Sequence, residues 1–583
     1  MQNRLGNGFG LQATGCYPLA FANRRHTWED LYSSQDDILI SLLPLDVAID
    51  LPSIEGGFSP GEGLLQLIKP LPETISNDKM LCKIGAATTT EQMREWCLAN
   101  NWAVPYDVVI VETTYGGTIS AICHGGGLAH KTLSDLVAEV EYVDPNGELR
   151  TVSDPELLNA ASGTFGVIGI VTAYTIRLDK MTYAAMRPAK VPIELAVPPP
   201  QEYIDAARKG DPKYKWIKDL VAKHSQQTID DATAKFINIC ETYYFVEWIW
   251  FPLASDVWVN IWTNDGLEAQ SKQIPSDFLA FIQWLEGWLA EVILNWSVLQ
   301  ALPGEFQAKL FAFISLLQVS DVKPGEPART FPLLPSDRIV TTQMTNGLHF
   351  RRGLQNMQFY DMEWFITIPP AVQPAASKAT PASTSAPVVK RDWTITQKAW
   401  WDGILLMEEN PSAIRIALEM RIMNGSDIYL APQRGNNLGT TCIEYITTFN
   451  TPLKDWVDMC QKVTDKWVSY KDPTTGKRLR ARPHWAKQWS FLTLPDDQGL
   501  PLQGTKWART VYKAEISLFM DALKKIGQNA GFTVDELRAR FGNSFLDAIL
   551  WNAPDPILVL KPSDDVSRGI INRIKKVLKS CFS

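Results

Sequence analysis

Thr113-Thr114-Tyr115-Gly116-Gly117-Thr118-Ile119-Ser120-Ala121-Ile122-Cys123-His124-Gly125-Gly126-Gly127 is the stretch from which the fold is read. Its glycines permit φ > 0 and let backbone amides approach an anion closely. Alone, such a glycine-rich loop is more often a tight turn than a phosphate cradle. Upstream, Met80–Ile84 reads as a strand, Gly85–Thr88 as the turn after it, and Thr90–Ala99 as an amphipathic helix. Downstream, Leu133–Val137 precedes a strand over Ala138–Val143. Asp144-Pro145-Asn146-Gly147 then turns into a second strand, Glu148–Val152. A short helix over Asp154–Ala161 follows, and Ser162–Thr172 returns to a strand. No strand is followed by G-x-G-x-x-G, which excludes the dinucleotide fold that carries that fingerprint.

This order of motifs, over the first third of the chain, resembles the FAD-binding domain of the vanillyl-alcohol-oxidase (PCMH) type of flavoproteins. The resemblance implies a flavin whose diphosphate lies against Gly116–Gly127. The cofactor-binding residues it suggests are Gly116, Gly117, Ser120, His124 and Gly125, with Gly169 and Ile170 offering backbone contacts. Members of this family usually begin with a further β-α-β stretch carrying a first phosphate loop, and in covalent members a histidine just after it is bonded to the flavin. Arg25-His26-Thr27-Trp28 matches that turn, so His26 is the candidate for attachment and His124 the second. A solvent-exposed histidine beside two arginines is the alternative for His26. Met1–Ala22 holds several glycines but no recognisable helix, so the first unit is expected to be shortened or replaced.

In the second half, the apolar run Ile414–Ile422 is interrupted by Glu419 and Arg421. In a strand, residues i and i+2 share a face, so the two side chains project together. Burying such a pair is costly, which leaves two readings: a structural ion pair, or a catalytic pair facing a cofactor. Tyr244–Leu253 and Asp256–Thr263 read as aromatic strands around a turn. These strands, the Leu-Glu-x-Arg strand, Arg482–Trp489 and Phe541–Leu546 together resemble the second, covalent-flavin class of cholesterol oxidases. The resemblance places Glu419 and Arg421 at the flavin's reactive edge. Glu419 is then expected to be the base that takes the hydroxyl proton, and Arg421 to stabilise charge or gate oxygen. Asp361 and Glu363 share the same i, i+2 spacing and read either as cavity lining or as an exposed strand face.

Composition sets outer bounds. The chain has 583 residues, 56 Lys plus Arg against 64 Asp plus Glu, and a net charge of −8. With no basic cluster, nucleic acid is not an expected partner. The eight cysteines show no C-x-x-C and no regular spacing, which points to neither a disulfide framework nor a zinc site. Met1–Gly6 is polar and glycine-rich, unlike the apolar core of a secretory signal. Phe278–Leu317 is the most apolar region, but Glu286, Glu291 and the Pro303-Gly304 break argue against a membrane span. It reads as buried packing in the substrate half, with a surface that touches lipid as the alternative. Pro374–Pro387 is low in complexity and reads as a mobile insertion within 372–390.

The expected fold class is α+β. A PCMH-type two-subdomain FAD-binding domain (1–180) precedes a substrate domain with a large antiparallel sheet covered by helices (181–503). A C-terminal segment (504–583) packs back on the FAD domain. The first functional reading is an FAD-dependent oxidase of a bulky apolar secondary alcohol, sterol-like, with O2 as acceptor and H2O2 as product. A second is an oxidase of a smaller polar alcohol such as a sugar lactone, distinguished by a polar cavity lining. A third is a non-catalytic relative that has lost flavin.

Overall fold

The computed structural model describes residues 11–14, 38–41, 68–111, 113–273, 302–317, 329–330, 334–335, 339–349, 359–372, 389–496 and 498–554. His26, the insertion around Pro374–Pro387 and most of Phe278–Leu317 lie outside them. Two short strands, β1 (Leu11–Thr14) and β2 (Ile38–Ser41), pair in parallel. A parallel pair requires a crossover connection between its strands.

The first large sheet is antiparallel. It comprises β3 (Ile68–Ser76), β4 (Lys79–Gly85), β5 (Trp102–Ala103), β6 (Val137–Val143), β7 (Leu149–Val152) and β8 (Ile170–Lys180). Their order is β3-β4-β8-β6-β7, with β5 added on β8. The helix between β4 and β5, Thr90–Asn100, starts where its sequence says it should. Thr89 and Gln92 form a reciprocal capping box, and Asn101 closes the helix in the left-handed conformation.

Two local readings are corrected. Tyr115–Ser120 is a short helix rather than part of a loop, because the Thr114 side chain accepts from the Gly117 amide and caps it. Ser162–Gly169 is irregular and the strand begins only at Ile170. Positive φ at Phe165, Gly166 and Gly169 breaks the extended run there.

The second sheet is built from β9 (Tyr183–Met186), β10 (Ala189–Pro192), β11 (Phe245–Trp250), β12 (Asp256–Thr263), β15 (Val340–Gln343), β16 (Phe359–Thr367), β17 (Ala417–Met423), β18 (Thr440–Thr448) and β19 (Ala481–Pro483). Small ribbons, β13 (Arg329–Thr330) with β14 (Leu334–Pro335) and β20 (Thr493–Pro495) with β21 (Pro501–Gln503), stand apart. The large sheet runs β15-β9-β12-β11-β17-β18-β16-β19, with β10 on β12. Every neighbouring pair in it is antiparallel.

The period of two sorts this sheet's residues. One face carries Trp248, Met362, Trp364, Leu418, Met420, Ile422, Ile443 and Tyr445, all fully buried. Helices Thr394–Glu409 and Leu453–Trp467 cover it. The Tyr445 hydroxyl donates to the Gly403 carbonyl at 2.7 Å and the Trp467 indole to the Ala399 carbonyl at 3.1 Å. The opposite face is apolar at its ends and charged at its centre, and it meets the first sheet's domain. At that seam the Gly127 amide donates to Ile422 O at 2.6 Å and the Asn424 amide to His130 O at 2.8 Å. Gly127 is held at φ 107°, and a Cβ there would lie 2.0 Å from Tyr244 O, so only glycine fits. Beyond the second sheet, helix Lys513–Ala530 lies on helix Pro155–Ala161, and Arg150 Nη2 donates to Ala530 O at 3.1 Å.

Candidate active site

The charged centre of the sheet is organised in rungs. Register aligns Glu363 of β16 with Glu444 of β18, and Glu444 with Glu419 of β17. The next rung aligns Phe365, Cys442, Arg421 and Glu247 across β16, β18, β17 and β11. Directly opposed residues have Cβ atoms about 5 Å apart, so three adjacent carboxylates repel unless cations intervene. Three basic groups do. Lys487 Nζ lies 2.5 Å from Asp361 Oδ2 and 2.7 Å from Glu444 Oε1. Arg421 Nε lies 2.8 Å from Glu247 Oε1, and the same guanidinium contacts Glu419. His124, from the glycine-rich segment of the other domain, sets Nε2 3.1 Å from Glu363 Oε1.

The proton positions follow from partners. His124 Nδ1 lies 2.8 Å from the Gly125 carbonyl, which only accepts, so Nδ1 donates. The Nε2 contact with Glu363 then holds one proton between ring and carboxyl. Burial works to raise the Glu363 carboxyl, but His124, His484 and Lys487 outweigh it and hold it well below the usual carboxylate range. His484 accepts the Ala486 amide at Nδ1, at 3.0 Å, so the neutral ring carries its hydrogen on Nε2. Burial, helped by His124, Lys487 and Arg421, pushes His484 down to about 3. Glu444 goes the other way. Burial, Glu363 and Asp361 push it up to about 7 against the pull of Lys487 and Arg421. Asp361 is also raised, chiefly by burial.

A cavity of about 130 Å³ lies over this face. One wall is Val108, Val109, Ile110, Thr113, Gly117, Thr118, Ala121, Cys123 and His124, and the other is Glu363, Arg421, Glu444, His484, Ala486 and Lys487. Gly117, His124 and Arg421, named from sequence, thus meet at one cavity. Glu419 does not line it. It sits behind Arg421, bonded to its guanidinium, so the expectation of a base facing the cavity does not match its placement. Glu363 lines the cavity and Asp361 is buried behind Lys487, so neither belongs to an exposed strand face.

Gly116, Ser120, Gly125, Gly169 and Ile170 do not line the cavity. The Gly116 and Gly127 amides are already given to Ala86 O and Ile422 O, and the Gly117 amide to Thr114 Oγ1. These three donors are not free for a diphosphate. A Cβ on Gly116 or Gly125 would lie 2.7 Å from Ala86 O or 2.9 Å from Asp107 O, so these glycines serve close packing. Ser120 Oγ pairs with the Tyr174 hydroxyl at 2.8 Å. Glu247, Glu444, His484 and Lys487 were not singled out as site residues from the sequence. A signal for two of them existed: Val-Glu-Trp at 246–248 and Ile-Glu-Tyr at 443–445 each set one carboxylate in an apolar strand, as Leu-Glu-Met does at 418–420.

An apolar wall of small side chains facing a wall of donors and charges suits a planar aromatic cofactor ring, which is apolar on its faces and polar along its edge. Comparison with known proteins indicates that the chain binds FAD. A model of the FAD binding domain (FAD_binding_4) matches residues 54–153. The chain therefore contains an FAD-binding domain of the PCMH type.

The resemblances to known proteins divide. A solvent-stable cholesterol oxidase superposes with a TM-score of 0.58 at 12% identity, covering 91% of each chain. A cholesterol oxidase from Brevibacterium sterolicum gives 0.56 at 10% identity, covering 94% of this chain and 90% of its own. By sequence, a probable L-gulonolactone oxidase from Arabidopsis thaliana is 27% identical over 139 residues, 22% of this chain and 23% of its own length. D-arabinono-1,4-lactone oxidase of Candida albicans is 32% identical over 97 residues, 16% of this chain and 17% of its own. The chain therefore matches less than a quarter of the length of these curated relatives.

Proposed function

We propose that the protein is an FAD-dependent alcohol oxidase whose cavity presents the substrate hydroxyl to the wall formed by Arg421, Glu444 and Lys487. The observation that carries this reading is the meeting, in one cavity, of the FAD-binding domain's Gly117–His124 segment with a buried cluster of acids and bases on the substrate sheet. FAD, when bound, supplies the acceptor for the carbinol hydride, which protein side chains lack. The protein's part is to orient the alcohol, exclude water and take its proton. Arg421, permanently charged and fixed between Glu247 and Glu419, offers a positioned donor to the alcohol oxygen. His484, neutral and with its hydrogen on Nε2, offers a second.

For the substrate, we favour a bulky, apolar secondary alcohol of sterol type. Likeness to cholesterol oxidases extends over nine-tenths of the chain and so includes the substrate half, and O2 is the acceptor this reading requires. The polar lining favours the second reading, a smaller polar alcohol such as a sugar lactone, because His124, Glu363, Arg421, Glu444, His484 and Lys487 all reach the cavity. Peroxide release from the FAD-loaded protein, measured with cholesterol in detergent and with an aldonolactone, separates the two. A kcat/KM at least tenfold higher for the sterol supports the first reading, and the reverse order overturns it.

A further inference from the structure

Resting on the oxidase reading, we infer that Glu444, held by Lys487, is the group that accepts the substrate's hydroxyl proton, and that Asp361 on the far side of Lys487 tunes it. The geometry is selective. Glu444 and Lys487 line the cavity, whereas Glu419, bonded to the Arg421 guanidinium, is not part of its lining. Glu363 lines the cavity too, but it already shares a proton with His124. Among the cavity's carboxylates this leaves Glu444, whose recorded partner is a lysine shared with another carboxylate.

Charge counting gives the same answer. Five buried carboxylates, Glu247, Asp361, Glu363, Glu419 and Glu444, face Arg421, Lys487 and the single proton of the His124 contact. Two negative charges lack a compensating positive one, and among buried carboxylates such an excess is relieved by retained protons. Asp361 and Glu444, which compete for one ammonium, are where both raised carboxyls lie. The groups facing Glu444 are Glu363 and Asp361 from β16, Glu419 and Arg421 from β17, Cys442 on its own strand, Lys487 and His484 from the segment after β19, and His124 across the cavity. In the step itself the substrate O–H bond breaks, its electron pair stays on oxygen, and the proton forms a new O–H bond on the Glu444 carboxylate. Two such groups, a base poised near neutrality and a lysine reaching both acids, form a path by which the proton leaves the cavity.

Two measurements on the FAD-loaded full chain test this. The first is independent of substrate: infrared titration of protonated carboxyl groups from pH 5 to pH 9. A carboxylic-acid band that titrates near pH 7 is expected in the unsubstituted protein and in Glu419→Gln, and it is expected to vanish in Glu444→Gln. Persistence of the band in Glu444→Gln overturns the assignment. The second is the rate of anaerobic flavin bleaching by cholesterol, or by an aldonolactone, against pH. The rate should rise with pH through a step near 7, because the ionised carboxylate is the active form. Glu444→Gln should lower it by about 10²–10⁴-fold and flatten the step. Asp361→Asn should move the step to lower pH and Lys487→Met to higher pH, a pair of opposite shifts that a purely structural role does not produce. Loss of the step in Glu419→Gln instead of Glu444→Gln overturns the assignment alone. Absence of bleaching by either alcohol in the unsubstituted protein, with the infrared band still titrating, overturns the oxidase reading and the catalytic role with it.

Discussion

Replacing Arg421 with methionine isolates what the charged rung costs and what holds it. The guanidinium is buried between Glu247, 2.8 Å away, and Glu419. Removing it leaves two carboxylates facing each other's strands in a site closed to water. Breaking a buried pair by deleting one partner typically costs about 3–5 kcal/mol, because the remaining charge is left uncompensated. For a unit the size of the substrate half, that lowers its thermal midpoint by about 4–7 °C.

The cost should depend on pH with a definite sign. Without Arg421, the charges of Glu247 and Glu419 repel with no cation between them, and low pH relieves that repulsion. Stability is then lost as pH rises above the ordinary carboxylate range, so the deficit against the unsubstituted protein is larger at pH 8 than at pH 5. Adding Glu247→Gln and Glu419→Gln to the same chain removes both orphaned charges and should restore most of the midpoint. The assay is thermal unfolding followed by near-ultraviolet circular dichroism at the two pH values. A deficit below about 1 kcal/mol, or one that does not change between pH 5 and pH 8, refutes the account of a desolvated charge cluster held by Arg421.

Two further outcomes are expected. Gly127→Ala places a methyl group against Tyr244 O at a strained φ, so it should cost more than the roughly 1–3 kcal/mol of backbone strain alone and loosen the seam between the halves. Differential scanning calorimetry checks it, and an unchanged unfolding profile contradicts it. His124→Ala should leave any covalent flavin bond intact, because both ring nitrogens of His124 are engaged, by Gly125 O and by Glu363. Flavin remaining with the pellet on acid precipitation of this variant agrees with that, and flavin released from it, but not from the unsubstituted protein, contradicts it.

The sequence carried the fold at the level of element type, and the reasons are local. Amphipathic spacing over Thr90–Ala99 marked a helix, and the aromatic run around Phe245–Trp250 and the apolar run through Ala417–Met423 marked strands. Glu419 and Arg421 announced a charged strand face because the i, i+2 rule acts within one segment. What the sequence could not announce was register. Glu444 and Glu363 join Glu419 on one rung only because β16, β18 and β17 align at those positions, and long-range pairing leaves no mark in any single strand. Lys487 follows no periodic pattern at all, lying in the irregular segment after β19. Tyr115–Ser120 misled for a different reason: Gly116 and Gly117 weigh against a helix, and the cap from Thr114 together with burial outweighs them. The pairing of Glu419 with Arg421 outside the cavity lining was not legible, because a strand's alternation tells which face a side chain takes and not which neighbour it meets there.

Whether the flavin acts in the seam cavity is decided by visible absorbance of the chain loaded with FAD, beside the same measurement on Ala121→Phe. Ala121 lines the wall of the FAD-binding domain, and a phenyl group there fills the cavity while leaving the charged sheet untouched. Bound flavin is expected in the unsubstituted protein, bleached by an alcohol in the absence of air, and a folded Ala121→Phe variant is expected to bind flavin poorly or not to be bleached. A chain that stays colourless after FAD is added, or a variant that binds and bleaches as well as its parent, would contradict flavin action in the seam cavity.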